Sequence, residues 1–504
     1  MDDSILDQSA CSLVDRMRRG ELAATETMRA FLDRIAALDP KLRAFAHLDP
    51  DAALAAAERM DHTRAAGGAP GTLHGLPVAV KDIIDTADMP TEFGAEIFVG
   101  RRPERDGVIV RRLRAAGAVV IGKTVTSQYA LFVPGPTKNP HDAAHTPGGS
   151  SSGSAAAVAA KLAPVALGTQ TNGSIIRPAS YCGIVGFKPS LGVLPRTGVL
   201  RQAAMIDHPG VMARSVADAA LIVDVIAGED PHDALSRNPT SSMLDAALGD
   251  GPVPRLAYTL GPFEARAEPA TREAFAAFIA SLPIRVDAIK LGPEFAAAEA
   301  TLRDLMCAGV AESLGPDIDS ANVKIPELVV QLVRAGRALS GADVMAAWTC
   351  RDQLRASLIE RVSDYDAVLT FAASGPAPLA SEGTGDPIFA TLWTLIGAPA
   401  YSLPLMTSAK GLPVGVQAVA APGRDRDLTR AAAWLMRAAA QRTAEPHAHP
   451  DPQSQHDGSG HRAHARRRAR RGFAGRRSRR HHGAARFPLY REPRRGSDRR
   501  RDRS

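Results

Sequence analysis

Three short stretches of this chain carry side chains that could act together. In Gly75-Leu-Pro-Val-Ala-Val-Lys81-Asp82, a strand-like apolar run ends on a lysine. Burial disfavours an ammonium, so a covered Lys81 would be pushed toward the free amine, which is a base. A salt bridge from Lys81 to Asp82 or another acid is the plainer reading of the same residues. The loop Pro147-Gly-Gly149-Ser150-Ser151-Ser152-Gly153-Ser154 sets glycines beside serines, which lets backbone N–H groups approach a ligand. It could equally be a linker, although the proline before it and the alanine-rich segment after it argue against free flexibility. In Gly168-Thr-Gln-Thr171-Asn172-Gly173-Ser174-Ile-Ile-Arg177-Pro178, a serine follows an Asn-Gly turn that would project its hydroxyl outward. Successive N–H groups around such a serine can hold an oxyanion. Taken alone, the stretch is a turn.

Other site chemistries fit less well. Residues 149–153 match G-x-S-x-G, but that elbow needs a strand running straight into it, and His-Asp-Ala-Ala-His-Thr-Pro-Gly is no strand. No Gly-Lys-Ser/Thr follows, which excludes a phosphate-binding P-loop. His74, His141, His145 and His208 show no metal-ligand spacing and read as loop and surface histidines. Cys11, Cys182, Cys307 and Cys350 are scattered, which speaks against a disulfide framework or a zinc site and fits a reducing cytoplasm. Neither a metal nor an organic cofactor is expected.

The elements that must position these groups read as α/β layers. Residues 1–62 read as helices, over 23–37 with Thr25 as cap and over 51–60. From residue 73, strand-length apolar runs at 76–80 and 118–121 alternate with a helix over 108–116. Residues 134–154 form a long loop, and 155–163 a buried helix. Helices follow at 215–227, 266–281, across most of 293–362 and at 428–440, with strands at 367–371 and 400–404. The composition, 45% hydrophobic and 23% charged over 504 residues, is that of a soluble globular protein. No run approaches the ~20 apolar residues that span a bilayer, and the first residues lack the basic and apolar regions of a secretory signal.

The net charge of +7 is unevenly placed. Residues 451–504 hold eighteen arginines, no lysine and five acids, giving +13 and leaving −6 on the first 450. A segment so poor in aliphatic residues should be disordered. It could be a non-specific nucleic-acid arm or a solvated extension, and its composition also resembles a GC-rich gene read in the wrong frame. The expected division is a helical N-terminal segment over 1–65, an α/β core over 66–442 and an arginine-rich tail over 443–504.

Together the three chemical stretches closely resemble the amidase signature family. The resemblance is carried by GLPVAVKD, by GKT at 122–124, by PGGSSSGSAAAVAA and by GSIIRPASYCGIVGFKPS. It continues more weakly through Arg214-Ser-Val-Ala-Asp-Ala-Ala220, GDPIFATLWTLIGAP and GLPVGVQAV, and covers roughly residues 5–440. It implies one large α/β domain, with a central mixed sheet covered by helices on both faces. It also implies a catalytic set of Ser174 as nucleophile, Ser150 as proton relay after a cis Gly149–Ser150 bond, and Lys81 as neutral base. The backbone of Thr171, Asn172, Gly173 and Ser174 would form the oxyanion hole, and Arg177, Gly149 and Ser151 would meet the substrate. Arg177 stands where malonamidase-like members hold a substrate carboxylate, and loop stabilisation is its alternative role. Gln170 and Asn172 replace the family's commoner Asp and Gly, and Asn172 tolerates a positive φ. Cys182 is read as packing.

The implied activity is hydrolysis of a small-molecule amide, with the substrate walls drawn from 129–135, 205–210 and 293–395. A homodimer is the default assembly. The alternatives are the amidase subunit of a tRNA-dependent amidotransferase, a non-catalytic binding protein on the same scaffold, and a nucleic-acid binder acting through the tail.

Overall fold

Eleven strands build one mixed sheet in the computed structural model, which describes residues 3–239 and 241–444. They are β1 (Phe45–Leu48), β2 (Pro77–Lys81), β3 (Val119–Thr124), β4 (Val165–Gln170), β5 (Val185–Lys188), β6 (His208–Ala213), β7 (Leu256–Tyr258), β8 (Val286–Ala288), β9 (Ala367–Phe371), β10 (Ala400–Thr407) and β11 (Pro413–Val419). Their order is β1-β3-β2-β4-β6-β5-β10-β11-β9-β7-β8. The trio β3-β2-β4 is parallel, as is β9-β7-β8, and the strands between them run antiparallel. Every residue of β2 through β6 is buried. That is why β2 and β3 read as unbroken apolar runs: helices pack over the sheet and leave no polar face. The described residues fall in one compact unit, so a single α/β domain with a helix-flanked mixed sheet is the fold. The arginine-rich tail expected over 443–504 lies, from residue 445 onward, outside the described residues.

Two features position the site. First, β2 and β4 are parallel neighbours, with Val78, Ala79 and Val80 beside Val165, Ala166 and Leu167. Lys81 and Thr169 therefore emerge together at the carboxyl ends of adjacent parallel strands, where α/β sheets place ligands. Second, the fully buried start of the helix Ser152–Ala159 must press against the β1–β3 side. A Cβ at Gly153 would lie 2.2 Å from the Ala44 carbonyl oxygen and 2.4 Å from the Val125 nitrogen. Only glycine admits that approach.

The N-terminal reading needs correction. Residues 45–48 are not helical but form β1, an edge strand antiparallel to β3. Thr25 does not cap the helix Ala24–Leu42, which starts at Ala23 with no side-chain cap of its own. Asp61 caps it from the next helix instead, its carboxylate accepting from the nitrogens of Ala24 and Thr25 at 2.8 and 2.9 Å, and from the Thr25 hydroxyl at 2.7 Å. A cap supplied by tertiary contact leaves no local signal. His74 and His208 are buried, not surface residues.

Candidate active site

Lys81 ends β2 with its side chain fully buried. Its Nζ lies 2.7 Å from Ser150 Oγ and 2.8 Å from Thr169 Oγ1. Ser150 follows a cis Gly149–Ser150 peptide bond, as expected. The salt-bridge reading of Lys81 fails, because Asp82 faces Lys123 at 3.5 Å. Burial holds the Lys81 amine well below its ordinary 10.5, and only a negative charge on Asp207 would oppose it. The amine thus has two hydroxyl neighbours and an environment that favours its uncharged form.

Ser174 sits half-buried at the turn before the helix Ile176–Cys182. A Cβ built on Gly168 would meet Ser151 Oγ at 3.0 Å and Ile175 Cγ1 at 3.7 Å. The residues that follow Ser150 and Ser174 therefore converge on one point of β4. Among the described residues no hydrogen bond reaches the Ser174 hydroxyl. The line expected from Lys81 through Ser150 to Ser174 is closed over its first half only. Such bonds commonly tighten when substrate is bound.

The turn is held by side chains. Gln170 Oε1 accepts from the nitrogens of Ile175 and Ile176 at 2.8 and 3.0 Å, satisfying two orphan donors at the helix start. Its Nε2 donates to Thr394 Oγ1 at 2.8 Å, and Thr394 donates to the Asn172 carbonyl at 2.6 Å. Thr391 donates to Asn172 Oδ1 at 2.8 Å. Gln170 thus anchors both the turn and the start of the following helix. The reason offered for Asn172 does not hold, because neither Asn172 nor Gly173 has a positive φ. Gly173 is required by contact: its Cβ would fall 2.9 Å from Pro387 Cβ.

Arg177 is fully buried and divides its guanidinium. Nη2 donates to the Gly149 carbonyl at 2.6 Å and to Thr384 Oγ1 at 3.3 Å, while Nε and Nη1 have no partner. Asp386, whose charge acts on it, is bonded to Arg266 at 2.5 Å. A narrow cavity brings Arg177 together with Thr171, Asn172, Gly173 and Ser174, walled by Ala130, Leu131, Phe132, Met306 and Pro387. Residues 129–135 and 293–395 thus supply walls as expected. Residues 207–209 line an adjoining cavity of about 400 Å³, which shares Thr171 and Gln202 with the first and also reaches Thr169. Ser151 is buried, with its hydroxyl engaged by the Thr169 backbone at 3.3 Å, so it braces β4. The Cys182 thiol donates to the Pro147 carbonyl at 3.5 Å and burial pushes its pKa up, consistent with packing.

Sequence reasoning missed Thr169, Gln202, Asp207, Thr391 and Thr394. Thr169 lay inside the quoted Gly-Thr-Gln-Thr motif, and a polar residue at the end of a buried strand was the available signal. Thr391 and Thr394 lay inside the quoted GDPIFATLWTLIGAP, while Gln202 and Asp207 reach the turn across 31 and 36 residues of chain with no local pattern.

The Amidase family model matches residues 26–429, and the chain belongs to that family. The glutamyl-tRNA(Gln) amidotransferase A-subunit of Geobacter metallireducens is 33% identical over 486 residues, 87% of this chain and 99% of that protein. Its counterpart from Salinispora arenicola is 46% identical over 236 residues, 45% of this chain, and there the chain spans about half the relative's length, 48%. The native peptide amidase of Stenotrophomonas maltophilia superposes with a TM-score of 0.73 at 32% identity, covering 87% of this chain and 97% of that one. A 6-aminohexanoate cyclic dimer hydrolase complexed with substrate gives 0.75 at 25% identity over 86% and 97%. The fold is shared with that peptide amidase and that cyclic dimer hydrolase. No helix among the described residues is long and apolar enough to cross a membrane.

Proposed function

We propose that this chain is an amidohydrolase that cleaves a small-molecule amide through an acyl-enzyme on Ser174, releasing ammonia or an amine. The observation that carries the reading is a fully buried lysine whose amine is held by Ser150 and Thr169 hydroxyls. Ser174 attacks the carbonyl as Ser150 takes its proton and passes one to Lys81. The charge that develops on the carbonyl oxygen is met by N–H groups of Thr171, Asn172, Gly173 and Ser174, one such donor being worth ~3 kcal/mol. Lys81 then returns the proton through Ser150 to the departing nitrogen, and water releases the acyl group by the same path.

The two unpartnered nitrogens of Arg177, in the cavity that holds Ser174, favour a substrate with a carboxylate or second carbonyl near the scissile amide. The working enzyme is read as a cytoplasmic homodimer with the core over 66–442 as its catalytic body. Ammonia release from a panel of neutral and acidic amides tests this. Ser174→Ala abolishes turnover with the circular dichroism unchanged, and Arg177→Ala removes the preference for acidic amides. Substantial turnover by Ser174→Ala would take that serine out of its role.

A second reading is the amidase subunit of a tRNA-dependent amidotransferase, favoured by the likeness to amidotransferase relatives. The Gln-Thr-Asn-Gly-Ser turn weighs against it, since such subunits usually read Asp-Thr-Gly-Gly-Ser. Co-purification of a partner protein together with glutamine-dependent ammonia release would install this reading in place of the first.

A further inference from the structure

The oxyanion turn has one anchor whose hydrogen bonds do not balance. Thr171 Oγ1 lies 2.5 Å from Asp207 Oδ1 and 2.7 Å from Gln202 Oε1. A threonine hydroxyl has one proton to give. The orientation of the Gln202 amide is set by its other end, because Nε2 donates to the Tyr129 carbonyl at 2.8 Å, and a carbonyl can only accept. Gln202 therefore presents an acceptor to Thr171. If Asp207 were a carboxylate, it would present another, and one proton would have to serve two close oxygen–oxygen contacts. The second Asp207 oxygen is fully occupied as an acceptor, from the nitrogens of Gln202 and Ala203 at 2.9 and 3.0 Å. The missing proton has one place to be, on Asp207 Oδ1.

We propose that Asp207 is a neutral carboxylic acid in the folded protein and a positioning residue for the oxyanion turn. Its Oδ1–H donates to Thr171, Thr171 donates to Gln202, and Gln202 donates to the Tyr129 carbonyl. One directed chain thereby ties the turn before Ser174 to the 129–132 wall of the substrate cavity. The protonation stands on hydrogen-bond geometry alone; its catalytic meaning rests on the amidohydrolase reading. The charged neighbours are consistent with it. Arg196, the cation acting on Asp207, is itself paired to Asp233 at 2.5 Å. His208 is held uncharged by burial, and burial likewise holds the Lys81 amine toward its uncharged form. Complete burial also pushes the Asp207 carboxyl up from its ordinary 3.8. An uncharged Asp207 withholds the negative charge that would favour an ammonium on Lys81.

Asp207→Asn tests this, because an amide can reproduce the pattern, with Nδ2–H toward Thr171 and Oδ1 toward the two backbone nitrogens. The first readout is the difference in unfolding midpoint between Asp207→Asn and wild type, followed with pH. A carboxyl that keeps its proton when folded but loses it when unfolded destabilises the wild type increasingly above pH ~4, by about tenfold in the folded-to-unfolded ratio per pH unit. The advantage of Asp207→Asn should therefore grow from pH 4 toward neutrality. A difference that stays flat or shrinks over that range overturns the proposal, whether or not any amide is turned over. The second readout is isotope-edited infrared spectroscopy of aspartate-labelled wild type at neutral pH. It should show a carboxylic-acid carbonyl band, whereas carboxylate bands alone would refute it, and this holds even if the variant fails to fold. In turnover, the acid limb of the pH profile should stay in place in Asp207→Asn. An acid limb moved to lower pH would mean that Asp207 is charged and supports the Lys81 ammonium, and would overturn the proposal.

Discussion

Lys81 and Lys123 end up on neighbouring parallel strands, both with fully buried side chains, yet their surroundings are opposite. Lys123 is enclosed by acceptors. Its Nζ donates to the carbonyls of Ile84 and Pro90 at 2.9 and 3.2 Å and to Thr91 Oγ1 at 2.5 Å, with the Asp82 carboxylate at 3.5 Å. Burial lowers its pKa only to about 8, because Asp82 and Asp85 favour the ammonium. Lys81 has two hydroxyls and no acid at ion-pair distance among the described residues, and burial holds its amine well below 10.5. Burial alone does not make a lysine a base. The partners decide, and here they separate a lysine held as a cation from one held toward the free amine.

Replacing each lysine by methionine should split activity from stability. Lys81→Met should lower kcat/KM by about 10³-fold or more while leaving the unfolding midpoint unchanged or raised. Lys123→Met leaves a buried Asp82 without its cation and should cost about 3–5 kcal/mol of stability, read from denaturant unfolding. Loss of activity without loss of stability at Lys123, or the reverse at Lys81, would erase the contrast. Gly153→Ala should destabilise by about 1–3 kcal/mol or more, since its new methyl meets backbone atoms of Ala44 and Val125 that cannot yield. The smallest effect concerns the pH profile. Activity should rise with pH as Lys81 loses its proton, with the limb well below 10.5. Thr169→Val removes an acceptor that favours the ammonium, so its limb should move to still lower pH, with a rate loss of about tenfold or less. A shift to higher pH would contradict that assignment.

These contrasts also mark what could be read in advance. Lys81, Ser150 and Ser174 were legible because they sit in contiguous motifs whose order along the chain is preserved. The strands at 76–80 and 118–121 were legible as apolar runs. β4 was not, because Val-Ala-Leu-Gly-Thr-Gln mixes small and polar residues that are strand-like only under a buried sheet. β1 was lost among helical neighbours because an edge strand of four residues has no periodicity to detect. The opposite surroundings of the two lysines were not legible either. Both follow short apolar runs, and the acid beside Lys81 in sequence, Asp82, turns to Lys123 in space. The anchors of the oxyanion turn, Gln202, Asp207, Thr391 and Thr394, come from distant segments, so only the fold reveals them.

The central claim is that Lys81, acting through Ser150, activates Ser174. Mass-mapped labelling with a serine-reactive fluorophosphonate tests it most directly. Wild type should carry a single adduct on Ser174, and Lys81→Met should carry essentially none under the same exposure. An adduct on Ser150, or undiminished labelling of Ser174 in Lys81→Met, would contradict the account.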